Sequence, residues 1–161
     1  MGSRMVVIGD GSGNYNPDRD ITRAEFAAIV VRALCLQVGT VESSFDDVAL
    51  TNWYNGYIDS ATGYSLITGY STTTYGPNDK ITRERAMKMT KLKTSLTDSK
   101  VSALLVNYLE GTAISNYAKA SIVARLKSGV VFRTSAGTIL PTDYVTRAEV
   151  AVMVQRLLQK A

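Results

Sequence analysis

The sequence predicts a mainly α-helical protein built from three repeats. The stretch Ile21-Thr22-Arg23-Ala24-Glu25-Phe26 returns as Ile81-Thr82-Arg83-Glu84-Arg85-Ala86 and again as Val145-Thr146-Arg147-Ala148-Glu149-Val150, spaced by 60 and then 64 residues. The three prolines of the chain, Pro17, Pro77 and Pro141, each stand five residues before the threonine of a copy. Each copy then opens a run that reads as a helix. A long, even period of this kind marks a repeat architecture, in which a unit buries its apolar face against its neighbours.

Val6 begins a short β-prone piece that leads through Gly9, Gly11 and Gly13 to Tyr15-Asn16-Pro17-Asp18. The glycines suit tight turns and positive φ. No Gly-Lys-Ser/Thr follows, so a phosphate-cradling loop is the weaker reading. Thr22 then opens the first motif helix. Thr-x-x-Glu is a capping box, in which the threonine hydroxyl accepts from the N3 amide and the glutamate accepts from the threonine amide. Thr146 and Glu149 repeat the device, whereas Arg85 occupies the glutamate slot of the second copy and Glu84 supplies the favourable charge of its first turn. Apolar residues cover most faces from Phe26 to Leu36, as expected of a helix buried on more than one side. The third copy keeps this pattern in Val150, Met153, Val154, Leu157 and Leu158. The second is polar at Thr90, Lys93 and Thr94, and is expected to be the least stable.

A polar linker spans residues 37–47. Asn52-Trp53-Tyr54 opens a second type of helix, running through Tyr57, Ile58, Ala61 and Leu66 and capped by Thr51 or Asn52. Residues 69–79 form the loop that carries Tyr75 and Pro77. An inserted helix is expected over 97–110, ended by Gly111. Ser115-Asn116-Tyr117 opens the counterpart of the Trp53 helix, which runs to Gly129. The third loop, 130–144, has Ile139 and Pro141 in the places of Tyr15 and Pro17, and Arg133 where equal spacing puts Gly9 and Gly69. The expected division of the single domain over 1–161 is a partial repeat over 1–40 without its leading helix, a second repeat over 41–96, and a third over 97–161 with the inserted helix.

Composition narrows the chemistry. A chain of 161 residues with 45% hydrophobic and 20% charged residues fits a globular domain with a real core. The net charge of +4 favours anionic partners but is too scattered to argue for nucleic acid. Histidine is absent, which removes the commonest general base and zinc ligand, and a lone Cys35 excludes an intrachain disulfide. The aspartates Asp18, Asp20, Asp46 and Asp47 do not match the EF-hand spacing and read as turn and cap residues. No cofactor and no metal site is expected. No apolar run approaches the ~20 residues of a membrane span, and the first five residues do not read as a secretory signal.

The repeated residues closely resemble the S-layer homology family, whose unit is a helix, a loop ending in aromatic-x-Pro, and a helix opening with Thr-Arg-Ala-Glu. The resemblance rests on Tyr15-x-Pro17 with Ile21 to Glu25, on Trp53-Tyr54, Gly69, Tyr75-x-Pro77 and Thr82-Arg83, and on Pro141 with Thr146 to Glu149. It implies a pseudo-threefold helical bundle with grooves where repeats meet. It also implies an extracellular, cell-wall location and non-covalent anchoring of an exported protein to secondary cell-wall polysaccharide through a pyruvylated sugar. By position, the ligand-binding residues it implies are Arg23, Arg83 and Arg147, with Trp53, Tyr54 and Gly69 as groove walls. A pyruvyl ketal carries a carboxylate, which arginine grips with two parallel N–H bonds.

Simpler roles compete at each residue. The capping threonines and glutamates need no ligand, Trp53 is more often core than groove, and Cys35 is expected to be a small buried hydrophobe. Three functions remain: a non-catalytic carbohydrate-binding anchor, a structural module that forms homo-oligomers through its incomplete first repeat, and an enzyme using Cys35 or carboxylates. Lack of histidine and of a tight nucleophile–base spacing places the enzyme last.

Overall fold

The computed structural model describes residues 6–9, 12–89, 114–129 and 138–160. Among these residues there are five helices: α1 (Arg23–Ala33), α2 (Asn55–Gly63), α3 (Arg83–Met89), α4 (Lys119–Ser128) and α5 (Arg147–Lys160). The mainly α class is therefore observed. No strand occurs among the described residues, and the β-prone loops contribute only isolated bridges, Asp20 to Thr146, Thr22 to Lys80 and Thr82 to Tyr144. The inserted helix expected over 97–110 and Arg133 lie outside the described residues.

The centre of the fold is a closed ring of backbone hydrogen bonds. Ile21 N–H donates to the Val145 carbonyl, Val145 N–H to Ile81, and Ile81 N–H back to Ile21, at 3.0–3.1 Å. All three side chains are fully buried. Around the ring, each motif helix docks its first two amides on a proline-containing loop. Arg23 and Ala24 donate to Asp79 and Pro77, Arg83 and Glu84 to Asp143 and Pro141, and Arg147 and Ala148 to Arg19 and Pro17. Two of the unpaired amides at each helix N-terminus are thus satisfied by a carbonyl from another part of the chain. The prolines stand in register, and their carbonyls accept from the second helix amide in all three copies.

Helix α1 is buried on most faces, as its apolar pattern requires, and packs against α2 and α5 while α3 packs against α4. Its capping box is complete: Thr22 N–H donates to Glu25 Oε2 at 2.9 Å and Glu25 N–H to Thr22 Oγ1 at 3.2 Å. Thr146 and Glu149 form the same pair of bonds at 3.0 and 3.3 Å. In the second copy Thr82 Oγ1 is buried without a partner among the described residues.

Three local expectations are corrected. Helix α2 starts at Asn55 with Tyr54 at the N-cap and no side-chain cap, because Asn52 Oδ1 instead accepts from Ala49 N–H and closes the preceding turn. It stops at Gly63, two residues before Ser65 turns to a φ of +56°. Cys35 is exposed. It lies just past the end of α1 at φ +53°, which turns it off the apolar face that the periodicity assigned to it.

Candidate functional site

Each motif arginine leaves its helix start and reaches into the loop ahead of the following copy. Arg23 is 2% exposed; its Nε donates to the Tyr75 carbonyl at 2.8 Å and its Nη2 to Thr68 at 2.9 Å. Arg83, 8% exposed, donates from Nε to Ile139 at 2.8 Å. Arg147, 5% exposed, donates from Nε to Tyr15 at 2.8 Å and from Nη2 to Ile8. The fixed fork of the guanidinium suits this work, since it presents several donors to carbonyls held in fixed places. Two phenols return the bond: Tyr75 O–H donates to the Arg23 carbonyl at 3.0 Å and Tyr15 O–H to Arg147 at 3.2 Å. The third place holds Ile139, which has no hydroxyl.

The residue in the glutamate slot then sets the charge of each junction. Glu149 forms a salt bridge with Arg83. Glu25 lies 4.0 Å from Arg147 and also accepts from Arg19 at 2.5 Å. Beside Arg23 the slot belongs to Arg85. The guanidinium carbons of Arg23 and Arg85 lie 4.4 and 4.5 Å from the centroid of the Tyr70 ring. No salt bridge to either arginine occurs among the described residues.

This junction opens into a groove of about 190 Å³ lined by Arg23, Gly69, Tyr70, Arg85, Lys88 and Tyr117. Gly69 belongs there for steric reasons, since a Cβ would stand 2.6 Å from the Phe45 ring and from the carbonyls of Ser71 and Thr74. Gly76, at φ +72°, provides the seat for Tyr70, whose ring would be 2.3 Å from an added Cβ. Lys88 Nζ lies 4.9 Å from the Tyr117 ring centroid, a further cation–π contact. Glu84 is nearby but already engaged, accepting from Tyr117 O–H at 2.8 Å and from the Ser115 amide and hydroxyl. Burial, then a hydrogen bond to Asp79, pushes the Tyr70 phenol above its ordinary value; burial, then Glu84, does the same for Tyr117. Both rings therefore stay neutral near pH 7 and keep their O–H donors.

A second groove, of about 210 Å³, lies at the Arg147 junction between the segment Val7 to Gly9, α1 and Trp53. Here Arg19 and Arg147 face Glu25, and Arg32 is held by Tyr57, whose oxygen accepts from Nε and Nη2 at 3.3 and 3.1 Å. Trp53 is 59% exposed and stands on the rim, which corrects the expectation of a core tryptophan. Tyr54 is buried at 8% exposure, with its ring 5.3 Å from Trp53 and edge-on.

Of the six residues singled out from sequence, Arg23 and Gly69 thus meet in the first groove, and Arg147 and Trp53 in the second. Arg83 stands apart at the third junction and Tyr54 in the core. Sequence reading missed Tyr70, Arg85, Lys88 and Tyr117. Arg85 and Lys88 carried a usable signal: residues three apart on a helix share a face, and Arg85 broke a motif kept in the other two copies.

The S-layer homology domain family matches this chain over residues 3–27 and 44–84. Among curated proteins, Exoglucanase XynX of Acetivibrio thermocellus is 30% identical over the whole chain, which covers 15% of that protein. The Surface-layer 125 kDa protein of Lysinibacillus sphaericus is 28% identical over 96% of the chain, 13% of its own length. The Middle cell wall protein of Brevibacillus brevis is 35% identical over 52% of the chain, 8% of its own length. The chain thus spans a small part of each relative, and relatives with unrelated names share the stretch that carries the Thr-Arg motif. With the motif, its register and its loop contacts in agreement with these matches, the chain belongs to the S-layer homology domain family.

Proposed function

We propose that the chain is a non-catalytic carbohydrate-binding module that anchors an exported protein to bacterial secondary cell-wall polysaccharide at the cell surface. The observation that carries this reading is the pair of guanidiniums, Arg23 and Arg85, on one tyrosine ring, with no salt bridge to either among the described residues. A pyruvyl ketal would place its carboxylate between the arginines, where charge-assisted bonds are strongest, and lay its apolar sugar face on Tyr70 or Tyr117. In Arg23 the Nε and Nη2 donors are committed to the walls, and Nη1 has no hydrogen bond among the described residues. Buried arginine thus holds the groove's shape and offers a remaining donor to a ligand.

The ring of Ile21, Ile81 and Val145 supports a pseudo-threefold bundle, in which each groove is a junction between successive copies. In this reading Arg147 and Trp53 line a second, weaker groove, while Arg83 and Tyr54 support the walls. The absence of catalysis fits the relatives: an exoglucanase and a surface-layer protein share this stretch although their names describe different whole-protein roles.

The test is co-sedimentation with purified cell walls before and after chemical removal of pyruvyl groups. Wild-type chain should pellet with intact walls and remain in solution with depyruvylated ones. Equal pelleting with both would contradict the carboxylate reading.

A further inference from the structure

The three copies place residues 25, 85 and 149 in one equivalent slot, and the slot has two chemistries. Where it holds glutamate, the carboxylate completes the capping box of its own helix and faces the motif arginine of the neighbouring copy: Glu25 faces Arg147, and Glu149 pairs with Arg83. Where it holds Arg85, both services are lost. Thr82 N–H has no carboxylate of the kind that accepts from the Thr22 and Thr146 amides, and Thr82 Oγ1 is buried without a partner among the described residues. Arg23 has a second cation beside it and no salt bridge among those residues. Lys88, one turn further along α3, adds a third positive charge to the same groove. A change that gives up a cap and crowds like charges is destabilising for an empty protein. It becomes useful if a ligand supplies the missing negative charge.

We infer that residue 85 sets the charge selectivity of this chain: the Arg23–Arg85 groove ranks saccharides by negative charge, dianion over monoanion over neutral, and the glutamate-bearing junctions do not. This rests on the saccharide-binding reading above and names the ligand class within it. A phosphorylated sugar, carrying about two charges at pH 7.5, is a better ligand than a sugar carboxylate, and an uncharged sugar is the poorest. Arg85 acts at the ligand and against the helix cap, so its replacements separate the two roles. Glutamine and glutamate can both rebuild a capping box, whereas lysine keeps the charge and cannot.

The experiment is a chemical-shift titration at pH 7.5 with glucose, glucuronate and glucose 6-phosphate, alongside thermal melting, for the wild type and for Arg85→Lys, Arg85→Gln, Arg85→Glu and Glu25→Gln. Wild type should respond near Gly69 and Tyr70 in the order phosphate, carboxylate, neutral. Arg85→Lys should keep the order. Arg85→Gln should weaken glucose 6-phosphate about tenfold, as expected for loss of one hydrogen bond to a charged group, and Arg85→Glu should erase the order. Both should melt about 2–4 °C higher as the cap returns. Glu25→Gln keeps its own cap and removes the charge facing Arg147, so a second anion-responsive site should appear around Tyr15. An unchanged order in Arg85→Glu, or no second site in Glu25→Gln, overturns the inference. A wild type indifferent to charge that still pellets with cell walls overturns it while leaving the anchoring reading intact; failure of both removes both.

Discussion

The two grooves, of about 190 and 210 Å³, are close in size and are built by the same device, a motif arginine donating from Nε to the carbonyl two residues before a loop proline. Their electrostatics differ. At the Arg147 junction Glu25 faces two arginines; at the Arg23 junction three cations gather around Tyr70 and Tyr117 without a salt bridge to either arginine among the described residues. Backbone scaffolding is thus repeated, while one side chain in a fixed slot changes the charge that each junction presents. It also decides what the helix gives up, since Arg85 cannot supply the carboxylate that accepts from the threonine amide at the other two helix starts.

The largest effect should come from the hub that both grooves share. Ile81→Ala removes a fully buried side chain beside the ring of backbone bonds and should cost about 2–4 kcal/mol, read by urea unfolding. Both grooves should lose ligand response together at the same denaturant concentration. Separate losses would mean that the grooves do not share one cooperative unit.

Next come the motif arginines. Arg23→Ala and Arg147→Ala each strand two loop carbonyls, and each should cost about 2–3 kcal/mol. Their destabilisation should be alike and their ligand effects unlike: Arg23→Ala should abolish binding of a pyruvylated saccharide, and Arg147→Ala should weaken it less than threefold. Equal losses would erase the distinction between the grooves.

The caps give a smaller contrast. Glu25→Ala breaks a complete capping box and should cost about 1 kcal/mol, whereas Arg85→Ala has no box to break and should leave stability within about 0.5 kcal/mol. Thermal melting of the two variants side by side measures the difference. Smallest is the pH response. Burial raises the phenol of Tyr75, and burial with their carboxylate partners raises Tyr70 and Tyr117. A raised folded-state value means that their contribution is fully present below the unfolded value near 10 and is lost as pH rises through the folded values. Lys80, raised by its bond to Asp20, acts in the same direction. Stability attributable to these groups should therefore stay level between pH 7 and 9 and decline above 10, as followed by circular dichroism.

Much of the fold was legible because its signals are local and repeated. Thr22 and Glu25 announce a cap within four residues, and the proline register announces a loop whose carbonyl role the structure then supplies. The core role weighed for Trp53 and the burial expected of Cys35 failed for a different reason. Helical periodicity says which face is apolar but not where a helix starts or ends: α2 begins two residues after Trp53, and α1 stops before Cys35. The groove was only half legible. Arg23 and Gly69 follow from the motif, but Tyr70, Lys88 and Tyr117 join it through long-range packing of a loop, a helix and the turn ahead of another helix, which no spacing in the sequence encodes. Arg85 was visible as a broken cap. Its place beside Arg23 on the Tyr70 ring was not.

The most direct measurement is a calorimetric titration of the wild type and Arg85→Glu with purified pyruvylated wall saccharide, read for stoichiometry and affinity. One dominant site per wild-type chain, lost in an Arg85→Glu variant that melts at a higher temperature, is the expected result. Undiminished binding by Arg85→Glu, or two equivalent sites in the wild type, would contradict the claim that a single slot residue makes this junction the anion site.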